Sequence, residues 1–158
     1  MSRKITGEYQ NLRYLFDLSS KIEDDPEILG HWARYLCVRC SGFMENAFTQ
    51  IFLEYAEEAA SPAVASYIAR SLKGFQNPKP EKIIELHQSF SKEWGEQFRE
   101  FVEDEHRAAI SSIVSNRHLI AHGENSNVSV GRLREWLNDS TLCIKRSYRI
   151  VHGKTLNF

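Results

Sequence analysis

The chain has 158 residues, of which 42% are hydrophobic and 26% charged, a balance that excludes an intrinsically disordered protein. Its 20 Lys and Arg residues against 21 Asp and Glu residues give a formal net charge of -1, which excludes the uniformly basic surface of an architectural nucleic-acid binder. It also lacks the run of about 18 apolar residues that a membrane helix needs. We therefore expect residues 1–158 to fold as a single domain, with a core covering about 9–150.

Helix signals dominate the chain, and the alternating, turn-rich segments of a β-sheet protein are absent. Apolar residues recur every three or four positions, which predicts an all-α bundle of about five to six helices. Asp25-Pro26 pairs a capping carboxylate with a proline suited to the first helical position, and Gly123 is expected to end a helix. The predicted helices cover about 8–23, 26–58, 62–74, 80–90, 92–122 and 129–151.

Two details of this helix order are open to test. The helix over about 92–122 is expected to break at the charge cluster Glu103-Asp104-Glu105. The tail from Gly153 to Phe158 is expected to be loose, because it follows the last periodic apolar residue.

The three cysteines are too few for a secreted disulfide scaffold, so a reducing, cytoplasmic setting is expected. Cys37 and Cys40 form a CxxC pattern, but it lies mid-helix, without the second pair of a zinc site or the strand-to-helix context of a redox site. We expect both thiols to pack in the core, and neither a metal nor another cofactor is predicted. The alternative is a zinc or redox protein that uses this pair.

The densest polar group on an otherwise apolar helix surrounds Arg117. This residue lies four positions after Ile113 and three before Ile120, so its stem is on or beside the core face. An unpaired guanidinium would be costly there, so Arg117 needs a partner or an anionic ligand.

His122 is the second candidate, five residues after Arg117. On a straight helix the two side chains diverge by about 140°, but Gly123 lets the last turn unwind and His122 swing toward the groove that Arg117 lines or toward a second subunit. An imidazole moves protons near neutral pH, and a guanidinium binds phosphate through two hydrogen bonds. Together they suit metal-free cleavage of RNA through its own 2′-hydroxyl. The alternative is an Arg neutralised by a carboxylate and a surface His at a helix end.

Arg followed by His after a gap of about four to six residues occurs three times, at Arg99 to His106, Arg117 to His122 and Arg146 to His152. The surrounding residues separate them. The segment Asn116-Arg117-His118-Leu119-Ile120-Ala121-His122-Gly123 resembles the motif of the HEPN superfamily of helical ribonucleases, particularly the RiboL-PSP-HEPN group. The blocks Ser41 to Phe48 and Gly74 to Pro78 also resemble this group. With the helix order, the resemblance covers about residues 9–149.

The resemblance implies a homodimeric helical bundle that cuts RNA without metal, with Arg117 and His122 of both subunits facing a shared cleft. Glu45 is implied as a supporting catalytic acid that pairs with Arg117, although the same ion pair without catalysis is an equal alternative. Asn116 and His118 are expected to bind substrate. Asn116 alternatively satisfies a backbone group, and His118 alternatively forms a metal-binding pair with His122.

The predicted function is a metal-independent endoribonuclease, acting as a toxin or effector in a toxin–antitoxin or phage-defence system. Its expected partners are the RNA substrate, a second copy of the chain, and an antitoxin or nucleotidyltransferase. The alternative is a non-catalytic HEPN-like scaffold that binds RNA or protein.

Overall fold

The computed structural model describes residues 2–158, which form an all-α bundle of seven α-helices and one 3-10 turn, without a β-strand. The 3-10 turn covers Leu18–Lys21 and directly follows the first helix. The helices are α1 (Arg3–Asp17), α2 (Pro26–Ala59), α3 (Pro62–Leu72), α4 (Pro80–Phe90), α5 (Lys92–Phe101), α6 (Asp104–Ala121) and α7 (Val130–His152).

The 34-residue helix α2 is the centre of the bundle and packs against α1, α3, α6 and α7. Its start is as predicted: an Asp25 carboxylate oxygen accepts hydrogen bonds from the backbone N–H groups of Glu27 and Ile28, both at 3.1 Å. Phe48 and Phe52 on α2 are fully buried, and Phe48 meets Phe98 of α5 edge to face. α2 therefore supplies buried residues to the core along most of its length.

The first helix differs from the prediction at both of its ends. The first helix begins at Arg3 instead of about residue 8, because the Ser2 hydroxyl accepts a hydrogen bond from the Ile5 N–H and caps it. It also ends earlier, at Asp17. The segment 92–122 is two helices, since the chain turns at the buried Val102 and enters α6 through Asp104, whose φ is 45°. The expected break is thus confirmed and complete.

The tail is packed, so the prediction of a loose end was wrong. Leu156 is buried, and the Phe158 ring lies 4.4 Å from that of Tyr9. The Thr6 hydroxyl donates to the Asn157 carbonyl at 3.2 Å. Phe158, at the end of the tail, packs against α1, and helical periodicity cannot predict such a contact.

A buried imidazole joins four helices. His87 of α4 stacks on Phe98 of α5 with ring centroids 4.4 Å apart, and meets Phe52 of α2 edge to face. Its Nδ1 lies 2.7 Å from the Ile83 carbonyl oxygen and its Nε2 2.9 Å from the Ser147 hydroxyl of α7. Nδ1 therefore carries the proton, and Nε2 accepts from the hydroxyl. Burial lowers the pKa of His87 to about 4, so the ring is neutral at pH 7.

The cysteines pack in the core as expected. Cys37, Cys40 and Cys143 are free thiols with no exposed surface. Burial raises the pKa of Cys37 and of Cys143 to about 12 and that of Cys40 further, which disfavours the thiolate needed for redox or metal chemistry. Separately, none of the helices within residues 2–158 has the length and hydropathy of a membrane span.

Candidate functional site

The C-terminal end of α6 places His122 in solvent. Gly123 follows the helix with φ 70°, a left-handed conformation that costs a residue with a side chain about 1 kcal/mol or more. The Gly123 N–H donates to the Ile120 carbonyl at 3.2 Å and the Glu124 N–H to the Leu119 carbonyl at 2.9 Å. This Schellman pair of bonds ends the helix and leaves His122 as its exposed C-cap.

His118 and His122 lie on the same face of α6. Their ring centroids are 4.3 Å apart and both side chains are exposed. His122 thus stays over His118, and it makes no hydrogen bond to Arg117 within the described chain. No third His, Cys, Asp or Glu completes a metal site with this pair among residues 2–158.

Arg117 is half-buried, and its partner is an amide rather than a carboxylate. One of its terminal nitrogens, Nη1, donates to the side-chain oxygen of Asn77, in the loop between α3 and α4, at 3.4 Å. Arg117 takes part in none of the ion pairs within residues 2–158. Its positive charge therefore remains available to an anion.

Glu45 acts on Asn77, so the expected direct pair between Glu45 and Arg117 is not formed. The Asn77 N–H donates to a Glu45 carboxylate oxygen at 3.0 Å. Asn77 has φ 52°, a left-handed conformation that Asn tolerates better than most residues. The carboxylate of α2 thus fixes the loop residue whose side chain contacts Arg117. Asn77 therefore links the Glu45 carboxylate to the Arg117 guanidinium through one hydrogen bond to each.

Asn116 uses both ends of its amide inside the chain. Its Nδ2 donates to the Ser112 carbonyl at 2.9 Å, and its Oδ1 accepts from the hydroxyl of the buried Ser126 at 2.8 Å. These contacts hold the loop between α6 and α7 against α6. They match the alternative interpretation of Asn116, in which the side chain satisfies a backbone group.

A cleft of about 450 Å³ lies between the α3–α4 loop and the C-terminal half of α6. Two of its lining residues contact the candidate residues. Asn77 accepts a hydrogen bond from Arg117, and the ring of His118 lies beside that of His122. Its lining residues are Asn77, Lys79, Lys82, Val114, Ser115, His118 and Leu119. The sequence prediction gave no role to Asn77, Lys79 or Lys82. Asn77 lies in the block Gly74 to Pro78 that resembles the family, but no local pattern places it beside Arg117, 40 positions away.

The histidines of the three Arg-to-His spacings differ in their exposure to solvent. His106 stacks on Phe101 at 4.9 Å, with 17% of its side chain exposed. His152 is buried, with 2% of its side chain exposed and its Nε2 2.9 Å from the Ile51 carbonyl oxygen. Of the three histidines, only His122 is fully accessible to a substrate.

Comparison with known proteins gives one family. The family model described as RiboL-PSP-HEPN matches residues 5–152 of the chain. No curated protein and no solved structure matches the chain.

Proposed function

Because the chain belongs to the RiboL-PSP-HEPN family, we propose that it is a metal-independent endoribonuclease whose reacting groups are Arg117 and His122. One observation carries this proposal. His122 has an accessible imidazole and Arg117 a guanidinium without a carboxylate partner among residues 2–158, and each contacts a residue that lines the same cleft, His118 and Asn77 respectively.

The proposed reaction uses the chemistry of RNA itself. His122 removes the proton of a 2′-hydroxyl, and that oxygen attacks the adjacent phosphorus. Arg117 holds the phosphate and stabilises the negative charge that develops on it, while His118 makes a second phosphate contact. The bond to the 5′-oxygen breaks, and this oxygen takes up a proton. The products are a 2′,3′-cyclic phosphate and a 5′-hydroxyl end.

A second copy of the chain completes the proposed site. Arg117 and His122 make no contact within one subunit, and His122 stands exposed at a helix end. In the proposed homodimer the subunits meet at this end of α6, so that Arg117 of one copy and the histidine base of the other act on the same phosphate.

The proposed setting is the cytoplasm, where three free thiols remain reduced. The proposed role is that of a toxin or effector in a toxin–antitoxin or phage-defence system. An antitoxin or nucleotidyltransferase partner would restrain the activity.

The test of this proposal is incubation of the purified protein with total cellular RNA in EDTA, with fragment ends and oligomeric state measured in parallel. We expect a dimer that produces fragments with 2′,3′-cyclic phosphate and 5′-hydroxyl ends. A folded dimer that binds RNA without cutting it would instead indicate a scaffold of the same family.

The contact between Asn77 and Arg117 yields a separate prediction. Asn77→Gly removes the side-chain oxygen but keeps the N–H that Glu45 binds, and glycine favours the φ of 52°. We expect kcat to fall about tenfold, the lower end for a hydrogen bond to a charged group, with the midpoint of thermal unfolding little changed. An unchanged kcat would show that Asn77 does not position Arg117.

Glu45 can be tested in the same assay. Glu45→Gln keeps an oxygen that accepts the Asn77 N–H, whereas Glu45→Ala does not. If Glu45 only holds the loop, the Gln variant keeps most of the kcat and the Ala variant loses as much as Asn77→Gly, about tenfold. An equal loss of kcat in the Gln and Ala variants would instead show that the reaction needs the carboxylate charge itself.

A further inference from the structure

The cleft beside the reacting residues contains a pair of cations that the proposed reaction does not use. Lys79 precedes α4 as its N-cap residue and Lys82 lies in the first turn, three positions later, so the two share one side of the helix start. Neither lysine takes part in an ion pair within residues 2–158. The carboxylate between them in sequence, Glu81, pairs with Arg107, which lowers the pKa of Glu81.

This local positive charge stands out in a chain whose formal net charge is -1. The Nζ of Lys82 donates one hydrogen bond to the Gln76 carbonyl at 3.0 Å, which anchors the side chain and leaves two donors for a ligand. Lys79 is exposed, and no side-chain hydrogen bond holds it. The α4 end of the cleft is thus suited to a phosphate.

The opposite wall is of a different character. Val114 is buried and Leu119 half-buried, while Ser115 and His118 supply polar groups beside them. A ligand with an anionic group at one end and a flat, mostly apolar body with polar edges would match both walls. A nucleotide has this form, and the volume of about 450 Å³ falls within the range of small-molecule sites.

We infer that this cleft binds the RNA nucleotide next to the one being cut, with its phosphate on Lys79 and Lys82 and its base against Val114 and Leu119. The inference rests on the proposed ribonuclease function. The occupant is part of the same strand because Asn77 and His118 belong both to the cleft wall and to the contacts of Arg117 and His122. Among residues 2–158, no Phe, Tyr or Trp lines the cleft, so binding through the backbone phosphate tolerates any base.

The test compares the double variant Lys79→Ala/Lys82→Gln with the wild type on a single-stranded RNA 15-mer that spans a mapped cut. Gln at position 82 keeps a donor for the Gln76 carbonyl. We expect KM to rise about tenfold with kcat changed less than about twofold, and the slope of log KM against log salt to fall by about 0.7 to 1.4, the contribution of one to two phosphate contacts. The matched control, Lys21→Ala/Lys92→Gln, removes two exposed positive charges elsewhere and should leave all three values unchanged.

Modified substrates show which phosphate meets the two lysines. Each phosphate flanking the cut is replaced in turn by an uncharged 2′-deoxynucleoside methylphosphonate, and the reference substrate has the 2′-deoxynucleoside with its normal phosphate at the same position. Neutralising one flanking phosphate should raise KM about tenfold for the wild type and leave KM of the double lysine variant unchanged, because the charge that it meets is already gone. An equal increase for both proteins, or a double variant with unchanged KM and salt dependence, would overturn the inference.

A non-cleavable probe separates this inference from the proposed function. If the wild type cuts no RNA, fluorescence anisotropy with an all-2′-O-methyl 15-mer still reports binding. Binding weakened about tenfold in the double lysine variant and unchanged in His122→Ala would support an RNA site in a protein that is not a nuclease. Cutting that is lost in His122→Ala but insensitive to both lysines would support the nuclease and refute the cleft site.

Discussion

We expect alanine at His122 to reduce the cleavage rate of RNA by about 10²–10⁴-fold, because it removes the group proposed to take the 2′-hydroxyl proton. Arg117→Ala should cause a loss of about 10²–10³-fold by removing the charge proposed to stabilise the developing phosphorane. The initial rate of cutting of a labelled RNA in EDTA measures both. Arg117→Lys keeps the charge but not the two-pronged hydrogen bonding, so it restores only part of the rate.

We expect these losses of cleavage rate to occur without unfolding of the protein. His122 is exposed, Arg117 is half-buried without an ionic partner, and changes at such positions alter stability by about 0.5–1 kcal/mol. Arg99→Ala and His31→Ala are the matched controls, since both residues are exposed and lie on α5 and α2. Cutting by His122→Ala at the rate of His31→Ala would contradict the assignment.

The second large effect concerns stability and arises from His87. Its pKa is about 4 in the folded protein against 6.5 for an unperturbed histidine, so between these values the unfolded chain binds a proton that the native state does not. Stability is therefore full above pH 6.5 and decreases as the pH falls toward 4. The whole difference corresponds to about 3 kcal/mol, and about 2 kcal/mol is lost between pH 7 and pH 5. Urea unfolding at the two pH values measures it.

The matched comparison is the double variant His87→Leu/Ser147→Ala, which removes the imidazole without leaving the Ser147 hydroxyl unpaired in the core. Its free energy of unfolding should change about 2 kcal/mol less than that of the wild type between pH 7 and pH 5. The difference between the two proteins isolates His87 from the other histidines. An identical pH dependence in both would show that His87 is not the responsible group.

The fold was largely predictable because helix boundaries in this chain carry local chemical signals. Asp25-Pro26 and Gly123 mark the start of α2 and the end of α6, and the structure confirms both. The start of α1 was missed because its signal is a single capping serine before a basic stretch. The packed tail was missed because the contact of Phe158 with Tyr9 joins opposite ends of the sequence, which no local pattern encodes.

The candidate site also has a part that local sequence spacing could predict and a part that it could not. Asn116, His118 and His122 lie within seven positions of one helix, and the spacing of His118 and His122 correctly predicts that their rings share a face. The role of Glu45 depends on a loop that reaches α2 and α6 from elsewhere in the chain. Periodicity places Glu45 on a neighbouring helix, but it cannot show that Asn77 bonds both the Glu45 carboxylate and Arg117.

The most direct test of RNA cleavage at this site is the cutting in EDTA of an RNA 15-mer and of the same 15-mer with a single 2′-deoxynucleotide at the mapped cut, by the wild type and by His122→Ala. We expect that only the wild type acts, that it cuts only the all-ribose substrate at this position, and that the fragment ends in a 2′,3′-cyclic phosphate. Cutting at the deoxynucleotide, or undiminished cutting by His122→Ala, would contradict cleavage through the 2′-hydroxyl at the end of α6.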